Sequence, residues 1–154
     1  MEPKIYTLQE AENASKEYFC GDELAARVWS TKYALKDSFG NLFELTPDDM
    51  HHRLASEIAR IEEKYPNPMS EAELFELMRN FKYIVPQGSP MTAIGNHFQV
   101  SSLSNCFVIG QDGSNDSYGA IIQLDEEQVQ LMTRRGGVGH DLSTIRPNGS
   151  PVKN

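Results

Sequence analysis

Residues 101–154 decide the fold, and they read SSLSNCFVIGQDGSNDSYGAIIQLDEEQVQLMTRRGGVGHDLSTIRPNGSPVKN. Near the start of this segment, Cys106 is followed by the apolar run at residues 107–109, which is aromatic and β-branched. A short run of this kind predicts a strand that is largely buried on both faces. The thiol of Cys106 is therefore expected to point into the protein.

A helix is expected after this strand. Asn115 or Asp116 can cap its first turn, because their side chains accept hydrogen bonds from backbone amides that have no partner within a helix. Apolar residues then recur at helical spacing until a pair of glycines ends the pattern. The apolar residues are Ile121, Ile122, Val129 and Met132, and the glycines are Gly136 and Gly137. A glycine-rich loop and a basic tail complete the segment.

Composition limits the classes of function. The chain has 154 residues, of which 39% are hydrophobic and 23% charged, and this is the composition of a globular protein with its own core. Its net charge of -8 opposes nonspecific binding to nucleic acid or to an anionic membrane. The sequence contains neither an apolar run long enough to span a membrane nor a signal core. We therefore expect a cytoplasmic protein.

The cysteines and histidines do not suggest a metal site. Cys20 and Cys106 lie far apart, with no CxxC motif and no Cys/His cluster, so neither structural zinc nor a disulfide between them is expected. His51 and His52 are adjacent on a predicted helix and thus point about 100° apart. They are predicted to be surface residues.

The first part of the chain is predicted to be helical. Cap residues mark four helix starts, at Thr7, Asp22, Thr46 and Ser70. The second helix carries an apolar stripe with Trp29 beside it as a core anchor. That stripe consists of Leu24, Val28 and Leu35. Nine of the 11 glycines follow Pro86, so the composition changes there. These patterns predict an α+β chain with a helical region at 1–82 and a second region at 83–154.

Several motifs together resemble the large, catalytic chain of ribonucleotide reductases, most closely the adenosylcobalamin-dependent class II enzymes. They are GDELAARVWSTKYALKD, IVPQGSPMTAIGNHFQVSSLSNCFVIG and RRGGVGHDLSTIRPNGSPVKN, and the resemblance extends from about Glu10 onward. It implies a helical N-terminal region followed by the first strands and helices of a ten-stranded α/β barrel. The implied activity is the reduction of ribonucleotides to deoxyribonucleotides, the precursors of DNA, by thiyl-radical chemistry.

The resemblance also implies roles for residues near the predicted strand. Cys106 corresponds to one of two thiols that reduce the substrate and end as a disulfide, whereas without the resemblance it would be read as a small buried hydrophobe. Ser89, Asn105 and Gly137 correspond to positions that contact the nucleotide substrate. Asn105 departs from the family pattern, in which Ser or Ala stands beside the cysteine. Cys20 matches no functional position.

A second implied site binds an allosteric deoxynucleoside triphosphate effector, which sets substrate specificity. Asp116 would accept a hydrogen bond from the deoxyribose hydroxyl, with Ser117 and Tyr118 alongside. Arg146 and Lys153 would hold the triphosphate. From the residues alone, these two cations could equally form a solvated basic loop.

The resemblance places this effector site at a subunit interface, so a homodimer through the helix at about 116–135 is expected.

The sequence GGVGHD lacks the last glycine of GxGxxG, and no GK[ST] follows it, so neither a dinucleotide fold nor a P-loop is indicated. No ATP-cone motif is found before the helical region in this sequence, so regulation of activity at such a site is not expected.

Three functions remain open at this stage: part of a split or truncated reductase, a nucleotide-binding domain without catalysis, and a structural adaptor whose glycine loop binds a protein. In the first, the radical cysteine, the second reducing cysteine and the adenosylcobalamin contacts lie beyond Asn154, in the remainder of the reductase. The chain alone is then expected to reduce no nucleotide. The sequence distinguishes neither class I from class II nor diphosphate from triphosphate substrates.

Overall fold

The computed structural model describes residues 4–110 and 115–152. It divides into two compact units, Met1–Leu103 and Ser104–Asn154, here called the helical unit and the sheet unit. The helical unit contains α1 (Leu8–Tyr18), α2 (Glu23–Lys32), α3 (Pro47–Glu62), α4 (Glu71–Met78), a 3₁₀ turn (Arg79–Phe81) and α5 (Gly88–Ala93). The sheet unit contains β1 (Cys106–Ile109), α6 (Tyr118–Thr133) and β2 (Gly137–His140).

The first four helices begin at the predicted caps. The side chains of Thr7, Asp22 and Ser70 each accept a hydrogen bond from a backbone amide in the first turn of α1, α2 and α4. At α3, the carboxylate of Asp49 accepts a hydrogen bond from the backbone amide of Thr46 at 2.9 Å. These contacts satisfy amides that a helix leaves free, so local chemistry alone fixes the four starts.

The core of the helical unit forms where the first four helices meet. Its buried hydrophobic residues are Ala11, Trp29, Ala34, Leu42, Met50, Leu54 and Met78. Trp29 is buried in it, which confirms the predicted anchor. The predicted stripe on α2 is wrong at Leu24, which is 72% exposed. The buried face of α2 instead includes Ala26 and Ser30, small residues that allow close packing against α1.

The sheet unit is a strand–helix–strand arrangement. β1 and β2 pair in parallel, with Cys106 opposite Gly137 and Ile109 opposite His140. The helix α6 between them contacts both strands. The glycine-rich stretch at residues 137–140 was expected to be a loop, and it is instead the strand β2. Parallel strands need such a crossover connection, and the helix supplies it.

The cap of α6 also differs from the prediction. Ser117, rather than Asn115 or Asp116, precedes the helix in extended conformation, and its hydroxyl accepts a hydrogen bond from the amide of Ala120 at 3.2 Å. The two preceding side chains make other contacts. The side-chain amide of Asn115 donates to the carbonyl of Gly110, and a carboxylate oxygen of Asp116 accepts a hydrogen bond from Arg146.

The predicted α+β fold class is confirmed: a helical N-terminal region is followed by a parallel strand–helix–strand unit. The division between the units falls after Leu103, whereas the sequence placed the boundary at 82/83. Helix α5 and residues 94–103 therefore group with the helices. Within the described residues, no helix is both long and apolar enough to cross a membrane.

Candidate functional site

Cys106 lies on the open face of the two-stranded sheet. Exposure alternates along β1, with Cys106 and Val108 exposed and Phe107 and Ile109 half-buried. The prediction that this strand is buried on both faces and that its thiol points inward is therefore wrong. The physical reason is that α6 packs against a sheet that has no second layer within the described residues. The thiol is free and accessible.

Gly137 and Asn105 lie directly beside this thiol. Gly137 is the register partner of Cys106 on β2, and its backbone amide donates a hydrogen bond to the carbonyl of Asn105 at 2.6 Å. A Cβ at Gly137 would lie 3.1 Å from that carbonyl oxygen, which is tighter than ordinary contact. Parallel pairing thus brings three sequence-predicted residues together, next to a strand backbone that carries no side chain at Gly137 or Gly139.

Asn115 ties together the ends of both strands. It is buried, and its side-chain amide donates hydrogen bonds to the carbonyls of Gly110 at 2.5 Å and Asp141 at 3.4 Å. Its backbone amide donates to the hydroxyl of Thr144 at 3.2 Å. Because these contacts join the chain after β1 to the chain after β2, they fix where the following residue, Asp116, is presented.

Asp116 and Arg146 form an ion pair. The Nε of Arg146 lies 2.6 Å from Oδ2 of Asp116, and a terminal nitrogen donates to the Asp116 carbonyl at 3.3 Å. The other terminal nitrogen donates to the carbonyl of Pro151 at 3.1 Å. Both side chains remain partly exposed, at 36% for Arg146 and 25% for Asp116. The structure thus brings together two of the predicted effector residues, thirty positions apart in sequence.

Three further residues were predicted to bind the effector: Ser117, Tyr118 and Lys153. Ser117 is engaged as the cap of α6. Tyr118 is 88% exposed. Lys153 lies outside the described residues.

Ser89 belongs to the helical unit. It lies in the first turn of the short helix α5 and is buried. Two neighbouring carbonyls, those of Gly88 and Ser89, accept hydrogen bonds from the hydroxyl of Thr92 at 3.1 and 3.2 Å. The segment that carries the predicted substrate contact is thus ordered by its own side chains.

One histidine differs from the prediction. His51 was expected at the surface, and it is fully buried on α3, with its ring edge-on to Phe81 at 4.6 Å between ring centroids. Burial lowers the pKa of His51, and the carboxylate of Asp48, 3.7 Å from its Nδ1, partly opposes that shift. His52 is exposed, as predicted.

No cluster of three or more His, Cys, Asp or Glu side chains that could hold a metal ion occurs among residues 4–110 and 115–152.

Comparison with known families assigns both units. A family model described as "Ribonucleotide reductase, all-alpha domain" matches residues 21–94, and one described as "Ribonucleotide reductase, barrel domain" matches residues 104–154. Together the two models cover most of the chain. The chain belongs to the ribonucleotide reductase family. No curated protein and no solved structure matches it.

Membership in the ribonucleotide reductase family confirms the resemblance at family level. The residues that match the all-alpha domain lie within the helical unit, and those that match the barrel domain form the sheet unit. The family activity is the reduction of ribonucleotides, an oxidoreductase step in the synthesis of DNA precursors.

Two groups of residues that order this reductase chain were not predicted from its sequence. The first is Asn115 with Thr144, which join the strand ends. The second is the buried pair of Arg53 and Glu44 in the helical unit. The only sequence signal for the second was the position of Arg53 next to Leu54 on the buried side of α3, where a charge requires a partner.

Proposed function

We propose that this chain is part of a class II, adenosylcobalamin-dependent ribonucleotide reductase and that Cys106 is one of its two reducing thiols. The observation that carries the proposal is the open face of β1. An exposed thiol there lies beside Gly137, where the absence of a side chain leaves room for a sugar to approach.

The chemistry of the reducing step suits a cysteine pair. Two thiols give up two electrons and two protons as they join in a disulfide. The ribose loses its 2'-hydroxyl as water, and a C–H bond replaces the C–O bond. In this proposal Ser89 and Asn105 bind substrate oxygens through neutral polar groups, and the Gly137 backbone lies against the substrate.

The chain by itself is proposed to be inactive. The chemistry requires one cysteine for the radical and two more for the electrons, whereas the chain has two cysteines. Of these, Cys20 lies just after α1 in the helical unit, outside the residues that match the barrel domain. The remaining cysteines must come from the rest of the reductase.

The pair of Asp116 and Arg146 is proposed to form the core of the effector site, with Ser117, Tyr118 and Lys153. A guanidinium already held by a carboxylate is oriented before a triphosphate arrives, which lowers the entropy lost on binding. The site is proposed to lie at a homodimer interface formed by α6. The support for this dimer interface is that four apolar residues of α6 are exposed: Ile121, Ile122, Val129 and Met132.

Adenosylcobalamin supplies the radical in class II enzymes, and we assign none of its contacts to this chain. An apolar groove of about 580 Å³ lies between α3 and residues 93–103 of the helical unit. Its lining includes the carboxylates of Glu57 and Glu62, which would repel the phosphodiester of a cobalamin. This groove therefore does not fit the cofactor.

Replacement of Cys106 by serine tests the proposal. The assay uses the assembled reductase with adenosylcobalamin and a dithiol, and it measures deoxynucleotide formation from CDP and from CTP. Cys106→Ser should abolish multiple turnover and leave the affinity for dATP unchanged. The matched control Cys20→Ser, at the other cysteine, should retain turnover.

Two results would overturn the assignment. One is full activity of Cys106→Ser in the assembled enzyme. The other is deoxynucleotide formation by the purified 154-residue chain alone.

A further inference from the structure

The helical unit contains a buried ion pair that the proposed chemistry does not use. Arg53, on α3, and Glu44, in the segment before it, have side chains only 10% and 4% exposed. The Nε of Arg53 donates to Oε1 of Glu44 at 2.7 Å. Two charges taken out of water require further hydrogen bonds to offset their lost hydration.

Those further bonds connect Arg53 to the end of α5. One terminal nitrogen of its guanidinium donates to the carbonyl of Met91 at 2.8 Å, and the other donates to the carbonyl of Ile94. The two carbonyls between them accept hydrogen bonds from Asn96. Its side-chain amide donates to the carbonyl of Thr92 at 3.0 Å, and its backbone amide donates to the carbonyl of Ala93 at 3.1 Å. The carbonyls at the C-terminal end of α5 are thus satisfied from outside the helix.

Glu44 holds the guanidinium in place from the opposite side. Its Oε2 accepts a hydrogen bond from the backbone amide of Leu35 at 2.7 Å, which anchors the carboxylate to the segment after α2. Burial raises the pKa of Glu44, and the hydrogen bond and charge of Arg53 oppose this rise. The carboxylate and the guanidinium are therefore interdependent.

Gly95 closes over the stem of the same arginine. A Cβ at this position would lie 2.8 Å from Cγ of Arg53, and the residue has φ of +70°, a conformation that favours glycine. The chain after α5 thus packs directly on the Arg53 side chain.

We propose that Arg53 is a positioning residue that, held by Glu44, fixes α5 and so places Ser89 for contact with the nucleotide substrate. This inference rests on the proposed function, because it assumes that Ser89 binds substrate. α5 has only six residues, and a helix this short is not stable on its own. An external clamp on its last carbonyls is therefore what determines where its first turn lies.

Arginine suits this role better than lysine. Its planar fork reaches one carboxylate and two carbonyls at once, whereas a lysine ammonium is a single point charge on a flexible stem. Arg53→Lys keeps the charge opposite Glu44, so the variant is designed to fold while losing the geometry of the clamp. The matched control is Arg60→Lys, because Arg60 is on the same helix and pairs with Glu57 at the surface.

The first measurement is hydrogen exchange of the peptide that covers residues 88–96 in the assembled reductase. Arg53→Lys should accelerate its exchange at least about tenfold, the factor expected for losing one charge-assisted hydrogen bond. Arg60→Lys should leave the exchange unchanged. Unchanged exchange in Arg53→Lys would overturn the inference.

The second measurement is the KM for CDP and CTP in the assembled reductase. Ser89→Ala and Arg53→Lys should each raise KM by at least about threefold, with dATP affinity unchanged. The double variant should show no further increase, because both changes remove the same contact. A purely structural role of Arg53 would instead give additive effects and would overturn the inference.

The outcomes separate this inference from the proposed function. If Ser89→Ala raises KM and Arg53→Lys does not, the inference fails and the substrate role of Ser89 stands. If Ser89→Ala leaves KM unchanged, the substrate contact and the inference both fail. The turnover of Cys106→Ser then decides the proposed function independently.

Discussion

The helical unit and the sheet unit differ in how much of their apolar surface is buried. The helical unit buries Trp29, Met50 and Leu54 almost completely. In the described part of the sheet unit, Leu124 is the one large hydrophobic residue that is buried, and it is still 8% exposed, while Val108 and Ile122 are exposed. Parallel sheets are normally covered on both faces. The difference indicates that the helical unit has a core of its own, whereas the described part of the sheet unit leaves apolar surface uncovered.

The ion pairs of the two units show the same contrast. Arg53 and Glu44 are buried and connect backbone segments, so their pair serves the structure. Arg146 and Asp116 are partly exposed, and water screens such a pair, so it contributes little to stability. The same type of ion pair is therefore buried and structural in one unit and partly exposed to water in the other.

The largest effect is expected in the core of the helical unit. Leu54→Ala should lower the free energy of unfolding by about 2 to 5 kcal/mol, because it removes buried methyl groups and leaves a cavity. Denaturant unfolding followed by circular dichroism measures this change.

Leu24→Ala is the control, since it makes the same replacement at an exposed position in the same unit. It should change the free energy of unfolding by less than about 0.5 kcal/mol. Equal losses in the two variants would show that the helical unit has no such core and would remove the contrast between the units.

The ion pair of the sheet unit should matter for binding rather than for stability. Arg146→Ala should weaken dATP binding to the assembled reductase by about 1.5 to 3 kcal/mol, the range for a hydrogen bond to a charged group. Calorimetric titration measures the affinity. Arg134→Ala is the control, because Arg134 is an exposed arginine whose side chain contacts Gln130 on α6. Unchanged affinity in Arg146→Ala would remove the effector assignment.

The exposed face of α6 should matter for assembly. Ile122→Asp should weaken the proposed dimer at least about tenfold, because a carboxylate buried at an apolar interface costs more than about 1.4 kcal/mol. Sedimentation of the assembled reductase, with and without dATP, measures the dimer.

Gln130→Asp places the same carboxylate at an exposed polar position of α6, where Arg134 lies close enough to pair with it. It should leave the dimer intact. A reductase that sediments as a monomer before any substitution would contradict the proposed interface.

Sequence patterns predicted what local chemistry determines. The caps at Thr7, Asp22 and Ser70 depend on residues within one turn of the helix, and all three are confirmed. The motifs predicted the reductase family and the order of helices before a barrel. The pairing of Cys106 with Gly137 was not predicted, because the glycine-rich stretch was expected to be a loop and is instead the strand β2.

Features that depend on distant parts of the chain were not predictable in this way. The strand of Cys106 is apolar, but its burial depends on a second layer that a local pattern does not specify. His51 is buried because Phe81, thirty residues away, packs on its ring. The pairing of Glu44 with Arg53 likewise requires the fold of the segment between them.

The smallest expected effect is a pH dependence of the free energy of unfolding, which arises in the helical unit. Burial holds the pKa of His51 below its ordinary value of 6.5. The unfolded chain therefore takes up a proton at a higher pH than the folded chain does, and stability is lost as pH falls below about 6.5 towards the lowered pKa. Denaturant unfolding between about pH 7.5 and 5.5 should show this decline. Asp48 opposes it in part, since its carboxylate favours the charged imidazole.

The neighbouring histidine separates this effect from the rest of the chain. His52→Asn, at the exposed position, should keep the decline, whereas His51→Asn should remove most of it. The carboxylates with lowered pKa, such as Glu10 and Glu73, have ordinary values of 4.5, and their contribution is lost below the chosen window. An unchanged slope in His51→Asn would mean that the decline arises elsewhere, and the buried core of the helical unit would then lack the titrating group assigned to it.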